Sequence, residues 1–170
     1  TCPSASAFEQ ITSVSQQLDG GAAVGDTTIT VDWVATSYLN VGDVIEFSTT
    51  ASGVDFTTGE KYRVTNLTST VVTIVQHPRG EGGLITAAVD NARIKRKWRY
   101  ADQVDGAPGT SAFVSDRSGS GDEIHVVVID EDGGVSGVPG TVLESYSKLS
   151  KASDAKSPQG DVNYYPTVIS

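Results

Sequence analysis

The stretch HVVVIDEDGGVSGVPGTVLESY, His125 to Tyr146, joins an apolar run to acids and glycines, the residue types from which nucleotide and metal sites are built. A Walker-type phosphate loop needs a lysine and a hydroxyl residue directly after its last glycine, and here Gly140 is followed by Thr141 and Val142. The dinucleotide fingerprint fails as well, because Gly134, Gly137 and Gly140 have the wrong spacing. As a calcium loop, Asp130 and Asp132 supply two carboxylates, but Gly134 stands at the third ligand position and no glutamate closes a twelve-residue loop. The expected structure is a solvated acidic turn after a buried strand. No cofactor and no metal site is expected.

Nucleophilic hydrolysis needs an imidazole base or its equivalent, and only His77 and His125 are available. His77 lies in the turn-like QHPRG, and His125 alternates into a strand, where a packed or partly exposed histidine is the common outcome. No serine sits in a G-x-S-x-G elbow, and no H-x-x-x-H or C-x-x-C spacing points to zinc. Adjacent acids such as Asp122 and Glu123 occur in any acidic β protein and carry no glycosidase argument. The chain is read as a non-enzyme, with no catalytic residue. The sequon at Asn66 matters only in a secretory setting, and none is indicated.

The one sharp electrostatic feature is RIKRKWR, where Arg93, Lys95, Arg96, Lys97 and Arg99 gather in an otherwise acidic chain. In a strand, Arg93, Lys95, Lys97 and Arg99 share one face and Ile94, Arg96 and Trp98 the other. These five cations are the candidate subunit interface, meeting an acidic surface on a neighbour. The alternative is a solvated edge strand whose charges discourage aggregation.

The elements that position these residues follow from composition. The chain has 170 residues, enough for one ordinary domain or two small ones, and a formal net charge of −9, which repels nucleic acid and anionic membranes. Cys2 is the single cysteine, so no internal disulfide forms and a reducing compartment is indicated. No apolar window is long enough to span a bilayer, and the chain reads as soluble. The absence of methionine and the end within the apolar pattern of NYYPTVIS read as a piece of something longer.

Residues 1–20 place Phe8, Ile11, Val14 and Leu18 at helical spacing and read as a weak helix or lead-in segment. Five strand candidates follow within 21–100: TTITVDWV, VGDVIEFS, EKYRVTNL, TVVTIVQH and ARIKRKWRY, separated by turns rich in Gly, Asn, Asp and Pro. A small β-barrel or sandwich is the natural closure. Residues 101–121 are a polar connector and 122–170 a further region. There IHVVVID reads as a central strand covered on both faces. TVLESYSKLS suits either a helix with a Thr141/Glu144 capping box or a strand, and NYYPTVIS suits a helix capped by Asn163 with Pro166 in its first turn. The fold class is β-rich, α+β.

The segment Asp122 to Ser170 resembles the tail sheath protein of contractile-tailed bacteriophages of the large myovirus group. The pieces that carry the resemblance are HVVVIDEDG, then GTVLESYSKLSKASDAK, then NYY followed by an apolar VIS, in that order. The resemblance implies that residues 122–170 are part of a truncated α/β sheath core domain preceded by an inserted barrel, and that TVLESYSKLS is a strand joined by a hairpin connection to the one before it. It also implies a structural, virion-borne subunit, assembled in the host cytoplasm. Copies of it stack as rings around the tail tube and contract to drive the tube through the host envelope. Its partners would be other copies of itself, the tail tube protein, the baseplate and the tail terminator, with no nucleic acid and no membrane. The terminal arms by which such subunits form a mesh are absent from this stretch.

A competing class is a carbohydrate- or host-surface-binding β module, with Trp33, Tyr38 and Tyr62 as stacking platforms unless they pack into the core.

Overall fold

A computed structural model describes residues 1–2 and 4–170. The chain is β-rich, with strands paired antiparallel and α-helices of only four residues each, and it divides into two compact units. One is continuous, Glu9–Arg99; the other is built from Thr1–Phe8 together with Tyr100–Ser170. Among the described residues no helix is long and apolar enough to cross a membrane.

In the Glu9–Arg99 unit the strands are β1 (Glu9–Ile11), β2 (Thr28–Thr30), β3 (Val44–Ala51), β4 (Lys61–Leu67), β5 (Val71–His77) and β6 (Ala92–Lys97). They form one six-stranded sheet in the order β1-β6-β3-β4-β5-β2. All five expected strands are present, and in three of them alternation puts one side on the core: Tyr62 and Val64 in β4, Val72 and Ile74 in β5, Ala92 and Ile94 in β6. Those side chains join Leu18, Ile29, Val31, Leu39, Ile45, Phe47 and Leu84 in one apolar cluster. β3 departs from alternation, with Val44 through Ser48 all buried.

Of the weak helix or lead-in segment expected over residues 1–20, only α1, Ala5–Phe8, is helical. Residues 9–11 instead pair with β6, Glu9 opposite Lys97 and Ile11 opposite Lys95, and Val14 is 66 % exposed. Long-range pairing overrides the diluted helical spacing: the Thr12 amide donates to the Ile94 carbonyl, and Thr12 Oγ1 accepts from the Ile94 amide. Residues 17–19 then hydrogen-bond on both sides. The Leu18 amide donates to Ala92 at the start of β6, the Asp19 amide to Thr30 in β2, and the Gln17 carbonyl accepts from Asp32.

In the other unit β7 (Glu123–Asp130) and β8 (Thr141–Ser150) form a two-stranded antiparallel sheet. TVLESYSKLS is thus a strand, the option taken from the sheath resemblance. β7 is not a central strand covered on both faces: Ile124, His125 and Val126 are buried, but Val128 is 38 % exposed. A β-branched run signals the capacity for two-sided burial, and in this chain only the Ile124–Val126 end is covered, by Leu149 with Tyr146, Tyr165 and Val168. Cys2, fully buried, pairs with His125 on the outer edge of β7. The connector contains α2 (Ala112–Ser115), whose N-cap Ser111 accepts from the Val114 amide. The last helix, α3 (Tyr165–Val168), has Pro166 in its first turn as expected, but its N-cap residue is Tyr164. Asn163 is used elsewhere, its Nδ2 donating to the Lys148 carbonyl.

Candidate functional site

The basic run occupies β6, and its faces are those the alternation predicts. Ala92, Ile94 and Arg96 are buried, while Arg93, Lys95 and Lys97 are partly exposed. β3 and β1 flank β6, and their register sets acids opposite these cations: Glu46 opposite Lys95 and Glu9 opposite Lys97. Lys95 Nζ lies 2.9 Å from Glu46 Oε2 and 4.8 Å from the centre of the Phe56 ring. Lys97 Nζ lies 3.2 Å from Glu9 Oε2. The inward-facing Arg96 reaches Asp43 Oδ2 at 3.5 Å, with its guanidinium 5.3 Å from the centre of the Tyr38 ring.

Arg93 Nε donates to the Thr12 carbonyl at 2.6 Å, and the exposed Arg99 runs against Gly42, where an added Cβ would come within 2.8 Å of its Nε. The contrast that isolates this run in the sequence is therefore offset inside the unit by three carboxylates.

Burial shifts the groups around this network. Asp43, 2 % exposed, is pushed up by burial against the pull of the Asn40 amide and the Arg96 charge. Tyr38 is pushed up to about 12 by burial, against the opposing Arg96 charge. For buried pairs of this kind desolvation offsets much of the attraction.

The acidic glycine segment is the connection between β7 and β8. Asp130 accepts from the Val135 amide at 3.0 Å, the Ser136 amide at 2.6 Å and the Ser136 hydroxyl at 2.7 Å. Those Ser136 and Val135 hydrogen bonds hold its carboxyl below the usual carboxylate range. Asp132 accepts from the Gly134 amide at 3.0 Å, and Gly140 donates to the Asp130 carbonyl at 2.6 Å. The carboxylates weighed as calcium ligands thus organise the turn. Among the described residues no group of three or more His, Cys, Asp or Glu could hold a metal ion.

His77 ends β5, with Nδ1 accepting from the Arg63 guanidinium at 3.1 Å. His125 is fully buried, and both its ring nitrogens face backbone groups, the Gly106 carbonyl and the Lys148 amide. The serine-rich carboxylate is Asp122. Its Oδ2 accepts from the hydroxyls of Ser150 and Ser111 and its Oδ1 from the Ser111 amide. Burial alone would raise Asp122, but these hydrogen bonds hold it below the ordinary range.

The three aromatics considered as stacking platforms do not form an exposed face. Tyr62 is 1 % exposed in the core, with its ring 5.6 Å from that of Phe47. Trp33 and Tyr38 pack edge to face at 5.4 Å against the same core. Sequence reasoning missed the acids that complete this region. Glu60 closes a turn and accepts from the Tyr62 hydroxyl at 2.9 Å and the Thr86 hydroxyl at 2.7 Å.

No protein-family model matches the chain, and no curated protein matches it.

Proposed function

We propose that the chain is part of a structural subunit of a contractile phage tail sheath, which stacks as rings around a tail tube and contracts to drive that tube through the host envelope. The observation that carries this reading is local and connected. The three pieces of sequence that resemble the sheath family fall in one unit, as β7, the turn stapled by Asp130, β8 and the terminal helix. The hairpin that the resemblance implied is the connection between Asp130 and Thr141.

Two further observations support the same reading. The unit carrying the resemblance is discontinuous, with Glu9–Arg99 inserted between its two parts, as an inserted module in a sheath core domain would be. The hydrogen bonds of residues 17–19 to both β6 and β2 support reading that module as a small closed barrel. In this reading the partners are further copies, the tube protein, the baseplate and the tail terminator, and the site of action is the virion. Subunits keep their folds while surface contacts exchange, a role suited to hydrogen-bonded turns and internally paired charges.

The outward face of β6, Arg93, Lys95 and Lys97, with Arg99 just beyond the strand and Arg96 beneath it, is the proposed contact with a neighbouring subunit. The deciding experiment is negative-stain electron microscopy of the protein expressed alone and with tail tube supplied. Hollow tubes or stacked rings are the expected result. Monomers that persist in both conditions overturn the reading.

A further inference from the structure

A cleft of about 200 Å³ opens in the Glu9–Arg99 unit beside the end of β3 and the start of β4. Its apolar side is formed by Phe47, Ala88 and Val89, and its polar end by Glu60, Tyr62 and Thr86. Drug-sized sites run to about 300–1,000 Å³, so this volume fits a single side-chain-sized group.

The polar end is specific in what it leaves unused. The Tyr62 hydroxyl accepts from the Ile85 amide at 3.0 Å and donates to Glu60 Oε2 at 2.9 Å, which exhausts its proton. The Thr86 hydroxyl donates to Glu60 Oε1 at 2.7 Å. Each carboxylate oxygen therefore holds one donor already and keeps lone-pair capacity for another. Among the described residues no lysine, arginine or histidine lines the cleft, so the negative charge of Glu60 meets no cation in its lining.

We propose that this cleft binds a primary alkylammonium group, the shaft and head of a lysine side chain on a partner polypeptide. The aliphatic shaft lies along Phe47, Ala88 and Val89, and the ammonium supplies the donors that Glu60 still accepts. An anion is excluded by the lone carboxylate. A guanidinium fits less well, because its paired donors require both carboxylate oxygens from one side, and Tyr62 and Thr86 already occupy one position on each. The chain's net charge of −9 favours approach of a cationic partner. The inference stands apart from the sheath reading, since it concerns the inserted unit alone.

The test is an amide chemical-shift titration of the whole chain with n-butylammonium and with Nα-acetyl-lysine N-methylamide, against the neutral isostere Nα-acetyl-norleucine N-methylamide and methyl glucoside. Both ammonium ligands are expected to shift the amides of Glu60, Tyr62, Thr86, Ala88 and Val89, and the neutral ligands to leave them in place. Tighter binding of the lysine derivative assigns the site to a polypeptide partner, and equal binding assigns it to a free amine. Glu60→Gln is expected to weaken binding about tenfold or more, as loss of a charge-assisted hydrogen bond requires. Because Glu60→Gln also alters the Tyr62 contact, Ala87→Lys at the exposed rim supplies a second variant, whose own ammonium competes for Glu60 and abolishes the shifts. Absence of shifts with either amine, or equal shifts with norleucine or the glucoside, overturns the proposal.

Discussion

The backbone amide of Lys148 donates to Nδ1 of His125 at 3.0 Å, while Nε2 of the same ring lies 2.9 Å from the Gly106 carbonyl. A carbonyl requires a donor and an amide requires an acceptor, so the imidazole is neutral with its proton on Nε2. The ring thereby fastens the irregularity in the β7–β8 pairing, where Lys148 adopts φ 54°. His125→Phe keeps an aromatic ring there and leaves two backbone groups unpaired, at an expected cost of about 2–4 kcal/mol. His125→Asn, which retains an acceptor toward Lys148, should lose less. Urea melts followed by far-ultraviolet dichroism and by the Ile124 and Leu149 amide signals check both.

Acid should act on Asp122 and Asp130 in one sense and on Asp43 in the other. The carboxyls of Asp122 and Asp130 lie below their ordinary range in the folded chain. Their contribution is complete above the unfolded value of about 4 and disappears as the pH falls through the lower folded values. Asp43 is raised instead, so its contribution is complete below about pH 4 and is lost as the pH rises through its folded value. Both tryptophans, Trp33 and Trp98, belong to the Glu9–Arg99 unit, so their fluorescence reports that unit, and the Val126 and Leu149 amides report the other. Urea melts below about pH 4 should show the β7–β8 unit losing stability first, and Asp122→Asn should flatten that acid dependence.

Lys95 and Glu46 provide the cleanest test of the β6 surface. Glu46→Gln removes the partner of a cation that is 17 % exposed at its side chain and should cost about 1–3 kcal/mol. The double change Lys95→Glu with Glu46→Lys should recover most of that loss in a thermal melt, because it restores the pair with reversed sign. The same double variant, combined with Lys97→Glu and Glu9→Lys, inverts two of the outward charges, at Lys95 and Lys97, while keeping their internal pairs. If the proposed sheath assembles and contracts unchanged with all four substitutions, Lys95 and Lys97 have no interface role.

Gly83 and Gly137 separate close packing from backbone conformation. A Cβ at Gly83 would lie 2.2 Å from the Gly25 carbonyl oxygen and 2.3 Å from that of Asp26, both backbone atoms fixed by the Gly25–Leu84 and Leu84–Asp26 hydrogen bonds. Gly83→Ala should therefore cost about 2–4 kcal/mol. Gly137 has φ 83° with open space around it, and its alanine variant should cost only about 1–2 kcal/mol, the price of the left-handed conformation. Parallel denaturant melts of the two variants give the comparison.

What was legible in the sequence was the periodic part. β4, β5 and β6 announce themselves by alternation and turn residues, β2 and β3 by β-branched and aromatic runs between turn residues, and the inward position of Arg96 follows from counting along the strand. What was not legible depends on register between segments distant in the chain. Thr12 bonds to Ile94 across 82 residues, which no local pattern encodes, and so Phe8, Ile11 and Leu18 mimic a helix. The pairing of Lys95 with Glu46 is hidden for the same reason, although a strand with buried acids beside apolar residues is a usable signal that a cation lies opposite. His125 and Glu60 gave no warning, because their partners are backbone groups in one case and hydroxyls brought in by folding in the other.

The pairing of Glu9 with Lys97 places the first strand of the inserted unit against its last, so the chain enters and leaves that unit at neighbouring points. Such a segment behaves as a cassette. It can be lengthened, exchanged or excised in one step without rethreading the host, since a short linker bridges the gap that remains. The same junction is a natural point for grafting foreign sequence.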